Sequence, residues 1–251
     1  MPYTLSELVA LFFTYSVIGW IWETIYCSIK DHQYEYRGFL FGPYCPVYGF
    51  AVTTILVATH PFQNNVFLLF IIGAVVATLF ELIASIFLQK FFHLKLWDYS
   101  KLKWNFQGRI APEISLFWGI GVVLLVKFVQ PFVQKIIDWE ESYTHGYEAV
   151  IILAVMGIDF IATIISVKKF HTSTQLWNTK INDFLDKHKA ELDHSKLHAE
   201  LKKHLPSLHP HTQLSWNARR LIRNFPKLKV IDANKFNEMK GDILAYLKNM
   251  M

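Results

Sequence analysis

Cysteine is scarce in this sequence, and so is charge. Cys27 and Cys45 are the only two cysteines, with no C-x-x-C pair and no metal-ligand spacing around them. A disulfide framework and a cysteine-bound metal centre are therefore not expected, and both residues read as free thiols at a membrane interface. Charged residues make up 18% of the chain, against about a quarter in soluble domains, while 53% of residues are hydrophobic and 16% aromatic. That balance points to a membrane protein with a polar portion attached. The first nine residues, MPYTLSELV, contain no Lys or Arg. The basic start of a cleavable signal is missing, so the first hydrophobic segment is expected to stay as an anchor.

Motifs for nucleotide hydrolysis and for familiar catalysis are missing too. There is no G-x-x-x-x-G-K-[ST], no H-E-x-x-H and no G-x-S-x-G. The chain cannot itself be an ATPase, an enzymatic role is disfavoured, and no cofactor or metal is expected. His194 and His198 stand at i and i+4, but a lone pair is too little for a metal site.

What is present is a series of long apolar runs. Spans are expected at about 5–29, 66–88, 114–137 and 147–167, each near the ~20 residues needed to cross hydrocarbon. A further run, about 45–59, is short for a crossing and is either partly re-entrant or borrows residues 39–44. Lys and Arg alternate between the loops. The 60–65 loop has none, the 89–111 region has Lys90, Lys95, Lys101, Lys103 and Arg109, and the 138–146 loop is acidic. The positive-inside rule then predicts about five crossings, with the N-terminus outside and the C-terminus in the cytoplasm. The expected fold is an all-α polytopic membrane bundle over 1–168 with a helical cytoplasmic tail over 169–251.

From Lys168 onward the chain carries 16 Lys/Arg against 8 Asp/Glu, a net charge of +8; the preceding residues carry −3. Periodicity from Trp177 to His204 predicts a tail helix, and a basic helix around Arg219, Arg220 and Arg223 is expected to lie on anionic lipid. Membrane lipid is thus an expected partner, and nucleic acid is not.

Three acids fall inside predicted spans: Glu23, Glu81 and Asp159. Each costs roughly 2.5 to 3.5 kcal/mol at the membrane centre if unpaired. Ser16, Gly19, Glu23 and Tyr26 share one side of the first span. Ala77, Thr78, Glu81 and Ser85 share one side of the third, and Asp159, Thr163 and Ser166 one side of the last. Small and hydroxylated neighbours favour helix contact over lipid, so these acids are expected to face the bundle interior. Lys127 lies too far along its helix to be an obvious partner.

Two stretches break the helical pattern. RGFLFGPYCPVYGF, residues 37–50, holds three glycines and two prolines in fourteen positions, and both residue types interrupt helices. LWDYSKLKWNFQGRIAPE, residues 96–113, carries turn-forming Asp98, Asn105 and Gly108 between aromatics suited to the headgroup level. Together with the acids they define a candidate cytoplasm-facing cavity: Glu23, Arg37, Gly42, Pro43, Cys45, Pro46, Tyr48, Glu81, Trp97, Asp98, Tyr99, Asn105, Gly108, Arg109 and Asp159.

The ordered motifs Y-S-x-x-G-W-x-x-E (15–23), R-G-F-L-x-G-P-x-C-P-x-Y-G (37–49), W-D-Y-S (97–100) and N-x-x-G-R-I (105–110) resemble the bacterial ABC transporter permease family, type IV (CmpB-like), over about residues 8–130. The segment 218–229 resembles a recurrent end-piece of that family. The resemblance implies a multi-pass protein of the bacterial cytoplasmic membrane. It also implies a permease-like subunit for a small solute, ion or lipid headgroup, with a separate ATPase subunit or a second copy of the chain as partner. The alternatives are an intramembrane lipid-modifying enzyme and a scaffold or sensor signalling through the basic tail.

Overall fold

The computed structural model describes residues 3–30, 32, 34–188, 220–222, 224, 225 and 228–238. They form six helices of ten or more residues: α1 (Leu5–Lys30), α2 (Pro46–Thr59), α3 (Val66–Phe92), α4 (Pro112–Leu124), α5 (Gln130–Thr144) and α6 (Tyr147–His188). A two-residue antiparallel ladder joins β1 (Leu94–Lys95) to β2 (Lys229–Val230).

The helix starts are written in the sequence. Thr4 and Glu7 form a reciprocal capping box, with the Thr4 amide donating to Glu7 and the Glu7 amide to the Thr4 hydroxyl. The Asn65 side chain accepts from the amides of Phe67 and Leu68 at the head of α3. Pro112 opens α4, where its missing amide is no loss. Pro131 acts differently. Its ring would strike the carbonyl four residues back, and the chain widens into a π turn over Leu125–Val129 just before it. One apolar run, Pro112–Thr144, thereby stays continuous through a proline.

Four helical stretches are long and apolar enough to cross a membrane: Leu5–Lys30, Val66–Phe92, Pro112–Thr144 and Tyr147–Lys187. Large apolar side chains face outward from them, among them Trp22, Ile83, Phe117 and Ile158, as a surface bathed in lipid tails requires. Helix α2, at 14 residues or ~21 Å, is shorter than the ~30 Å hydrocarbon core. The expected last span and the expected start of the tail helix are one uninterrupted α6. No Gly or Pro occurs between Ile158 and His188 to break it.

The described residues divide into two compact units. The first holds the residues up to Phe87 and Trp97–Thr163. Its core stacks Leu11 and Tyr15 of α1, Val52 and Leu56 of α2, Leu69 of α3, Val122 of α4 and Val133 and Ile137 of α5. The second holds Leu88–Leu96 and the described residues from Ile164 on, with Leu94, Phe170, Trp177, Ile181, Leu221, Ile222 and Phe236 buried. There the Asn178 side chain accepts from the amides of Lys235 and Phe236, and Asn237 pairs with both the amide and the carbonyl of Val230. Arg220 is buried in this unit; Arg219, Arg223, His194 and His198 lie outside the described residues.

A polar chain crosses the apolar core of the first unit. The fully buried Tyr15 donates to Gln130 (2.6 Å), Gln130 to Gln134 (2.9 Å), and Gln134 to Asp138 (2.8 Å). It ties α1 to α5 where apolar packing alone would leave their rotation free. Tyr15→Phe is expected to cost about 1 kcal/mol, the scale of interhelical hydrogen bonds in membranes. Thermal unfolding of the detergent-purified protein should show a midpoint a few degrees lower. Adding Gln130→Leu should recover part of that loss by removing the stranded partner.

Candidate functional site

Only the first part of the 37–50 stretch breaks the helical pattern: residues 34–45 form a non-helical segment that runs back along α1, and 46–50 already belong to α2. The Glu35 amide donates to the Ser28 hydroxyl (2.9 Å), the Arg37 amide to Thr24 (3.4 Å), and the Cys45 amide to the Ser16 carbonyl (2.8 Å). Ser28 and Thr24 lie one turn apart on α1 and Thr24 and Ser16 about two, so they act as successive rungs for a chain that has no helix of its own. At Cys45 the chain turns into α2, with Pro46 in the first turn.

Asp159 fixes the top of this segment. Its Oδ1 accepts from the Phe41 amide (2.9 Å) and the Thr163 hydroxyl (3.2 Å). Its Oδ2 accepts from the Gly42 amide (2.8 Å) and the Tyr44 hydroxyl (2.6 Å). A carboxylate has about four acceptor positions, and all four are filled. Gly42 is the residue that permits this: a side chain there would collide with the Tyr44 ring, which folds over it to reach Asp159. Asp159 is twelve residues past Tyr147 on α6, and Ser16 is eleven residues past Leu5 on α1. At 1.5 Å per residue these are ~18 and ~17 Å. Both helices therefore place the tip of the extended segment halfway along their apolar lengths.

α1 and α2 then cross tightly. A Cβ on Gly19 would overlap the Tyr48 ring, and one on Gly49 would overlap the Phe12 carbonyl and the Ser16 hydroxyl. Pressed onto Gly19, Tyr48 lies within electrostatic reach of Glu23, Cys27, Cys45 and Tyr99. Glu23 accepts from the Cys45 thiol at 3.8 Å and feels the charge of the buried Arg37.

The second break is a self-closing loop. Asp98 accepts from the Ser100 amide (3.1 Å), and Asn105 ties the Leu102 carbonyl (2.7 Å) to the Gly108 amide (2.8 Å). The Tyr99 amide donates to the Gly108 carbonyl (2.8 Å) and the Trp97 indole to the Arg109 carbonyl (3.0 Å). This scaffold aims the Tyr99 hydroxyl at Glu81 Oε1 (2.9 Å) and the Arg109 guanidinium at Ser85 (3.5 Å). Burial, followed by the Glu81 carboxylate, raises the Tyr99 phenol above its ordinary value, so it remains a donor. Glu81 Oε2 is buried without a well-formed hydrogen bond, beside the Trp118 indole.

The structure thus brings Glu23, Arg37, Cys45 and Tyr48 together, and pairs Glu81 with Tyr99 as a second cluster. Gly42 belongs to the Asp159 latch, and Pro46 to the start of α2. Pro43 is exposed. Trp97, Asp98, Asn105 and Gly108 build the loop that carries Tyr99 and Arg109. Tyr26, expected on the inner side of α1, is instead 55% exposed, because the inward face turns through Thr24 and Cys27. Sequence reasoning missed Thr24 and Ser28 as acceptors. Their spacing of four below a helix-breaking segment was the available signal. Among the described residues no cluster of three or more His, Cys, Asp or Glu could hold a metal.

A family model described as "Putative ABC-transporter type IV" matches residues 10–164, which takes in the α1 ladder, both irregular segments and Asp159. No curated protein and no solved structure matches.

Asp159→Asn replaces one acceptor oxygen by a donor and strands a backbone amide of the loop, a loss of about 1–3 kcal/mol. In a Cys27→Ser background, labelling of Cys45 by a membrane-permeant maleimide is expected to quicken several-fold. An unchanged labelling rate would show that Asp159 does not hold the loop.

Proposed function

The chain belongs to the "Putative ABC-transporter type IV" family, and on that premise we propose that it is a membrane-embedded, permease-like subunit working with a separate ATPase. One observation carries the reading: the extended segment latched by Asp159 stands halfway along α1 and α6. Irregular backbone at membrane depth is tolerated where it is buried in protein or lines a polar path. Transporters build their sites from such broken spans. In this reading residues 35–59 make the second crossing, its inner half extended and its outer half the short α2. The N-terminus is then outside and the C-terminus in the cytoplasm.

The proposed path is lined by Glu23, Arg37, Cys45, Tyr48, Glu81 and Tyr99, and opens toward the side that carries Lys101 and Lys103. Arg37 and Glu23 together offer both signs of charge to a small solute, an ion or a lipid headgroup. Glu81 Oε2 has only the Trp118 indole beside it and no well-formed bond, so it can take a donor from a passing polar group. Hydrolysis of a nucleotide falls to the partner, because this chain has no phosphate-binding loop.

Two measurements test this. Asn64→Cys should react with an impermeant maleimide on intact cells, whereas Lys103→Cys should react only after permeabilisation; the reverse pattern would invert the orientation. Crosslinked and purified from its native membranes, the full-length protein is expected to carry an ATPase with a phosphate-binding loop. Recovery of a bound lipid and no ATPase would sink the permease reading and favour the lipid-modifying enzyme.

A further inference from the structure

Apart from Asn105, the side chains at the tip of the 97–111 loop take no part in holding the site, yet the tip is built with care. Trp104 is 88% exposed and Phe106 54% exposed. Lys101 and Lys103 are exposed beside them, and no ion pair engages either lysine among the described residues. Trp104 stacks on no other ring there. Its backbone stands at φ 55°, and Gln107 follows at φ 53°. Bulky side chains rarely adopt that region, and such strain persists only where the surroundings impose it. Here Asn105 and the Phe106–Ile110 bridge impose it. An apolar-tipped, basic finger is thus displayed rigidly, and its Trp104, Lys101 and Lys103 side chains have no partner among the described residues.

Its place along α3 says what it meets. The root of the finger lies against α3, short of its end: Tyr99 reaches back to Glu81 and Arg109 to Ser85. Twenty residues from Val66, the length that crosses ~30 Å of hydrocarbon, end beside Ser85. The root of the finger is therefore level with the hydrocarbon boundary. At that level an indole and a phenyl ring settle among headgroups and acyl carbons, and lysine ammonium groups meet phosphates.

We infer that the Lys101–Phe106 finger is a docking site for the anionic phospholipid surface. Trp104 and Phe106 insert at the headgroup boundary, and Lys101 and Lys103 select negatively charged lipid. The inference holds whether or not the chain moves a solute. It also gives the finger a mechanical use, since the lipid contact at the tip is tied through Asn105 and Gly108 to Tyr99 and hence to Glu81.

The test uses the full-length protein in vesicles of phosphatidylglycerol or phosphatidylcholine whose acyl chains are brominated near the headgroup. The contribution of Trp104 to the emission is isolated by subtracting the Trp104→Phe variant. Brominated phosphatidylglycerol is expected to quench most of that contribution, and more strongly than brominated phosphatidylcholine. The difference should shrink with added salt and fall by about fivefold for each of Lys101→Gln and Lys103→Gln. Equal quenching by both lipids would overturn the anionic preference. Quenching by aqueous iodide instead of brominated lipid would overturn the docking itself and assign the finger to a protein partner. All of these residues are exposed, so the variants leave the core intact.

Discussion

The fold of the first unit depends on one accommodation, between Asp159 and a stretch of chain that cannot be helical. Gly42-Pro43 and Cys45-Pro46 remove the helix as a way of satisfying backbone groups in residues 37–45. Inside an apolar bundle each amide left unpaired costs several kcal/mol. A side-chain acceptor must come from elsewhere, and a carboxylate is the strongest available. Asp159 supplies two backbone acceptors and a third for Tyr44. The donors in turn offset the cost of holding an acid so deep, so each side removes the penalty of the other.

That accommodation dictates much of the surrounding sequence. Because the segment climbs α1, α1 must present oxygen rather than hydrocarbon along the climb. Ser28, Thr24 and the Ser16 carbonyl do so. Because α2 starts only at the top, it must press close against α1 to be buried at all, and Gly19 and Gly49 make room. Tyr48 fills the space over Gly19. The motif Y-S-x-x-G-W-x-x-E is thus one contact surface. Tyr15 faces α5 through Gln130, Ser16 and Gly19 face α2, and Glu23 faces Cys45.

Much of this is legible in the amino-acid sequence. Hydropathy locates the spans, and the acids with small neighbours on one face of each helix identify inward sides correctly for Glu81 and Asp159. The two irregular stretches announce themselves through Gly, Pro and Asn. What stays hidden is pairing over long sequence separation. Nothing local in Asp159 says that its partners are the amides of Phe41 and Gly42, more than a hundred residues earlier. The π turn before Pro131 is hidden for a related reason. A proline in an apolar run predicts a break, yet the π turn over Leu125–Val129 carries the helix through, with Val126, Val133 and Ile137 in the core on both sides.

The three deep carboxylates look alike in sequence and differ in what they have left to offer. Asp159 has four donors on four acceptor positions, and a ligand could reach it only by displacing the loop. Glu23 has a thiol at 3.8 Å, a weak donor, and the nearby charge of Arg37, so its bonding is incomplete. Glu81 has one good donor in Tyr99 and one buried oxygen without a well-formed bond. Buried polar groups are satisfied in the great majority of cases, so an incompletely bonded acid is the better candidate for an incoming group. Asp159 instead holds Phe41, Gly42 and Tyr44, the turn that leads into Cys45. A site arranged this way separates structure from chemistry by degree of satisfaction. The saturated acid anchors the extended segment, and the other two keep acceptor capacity.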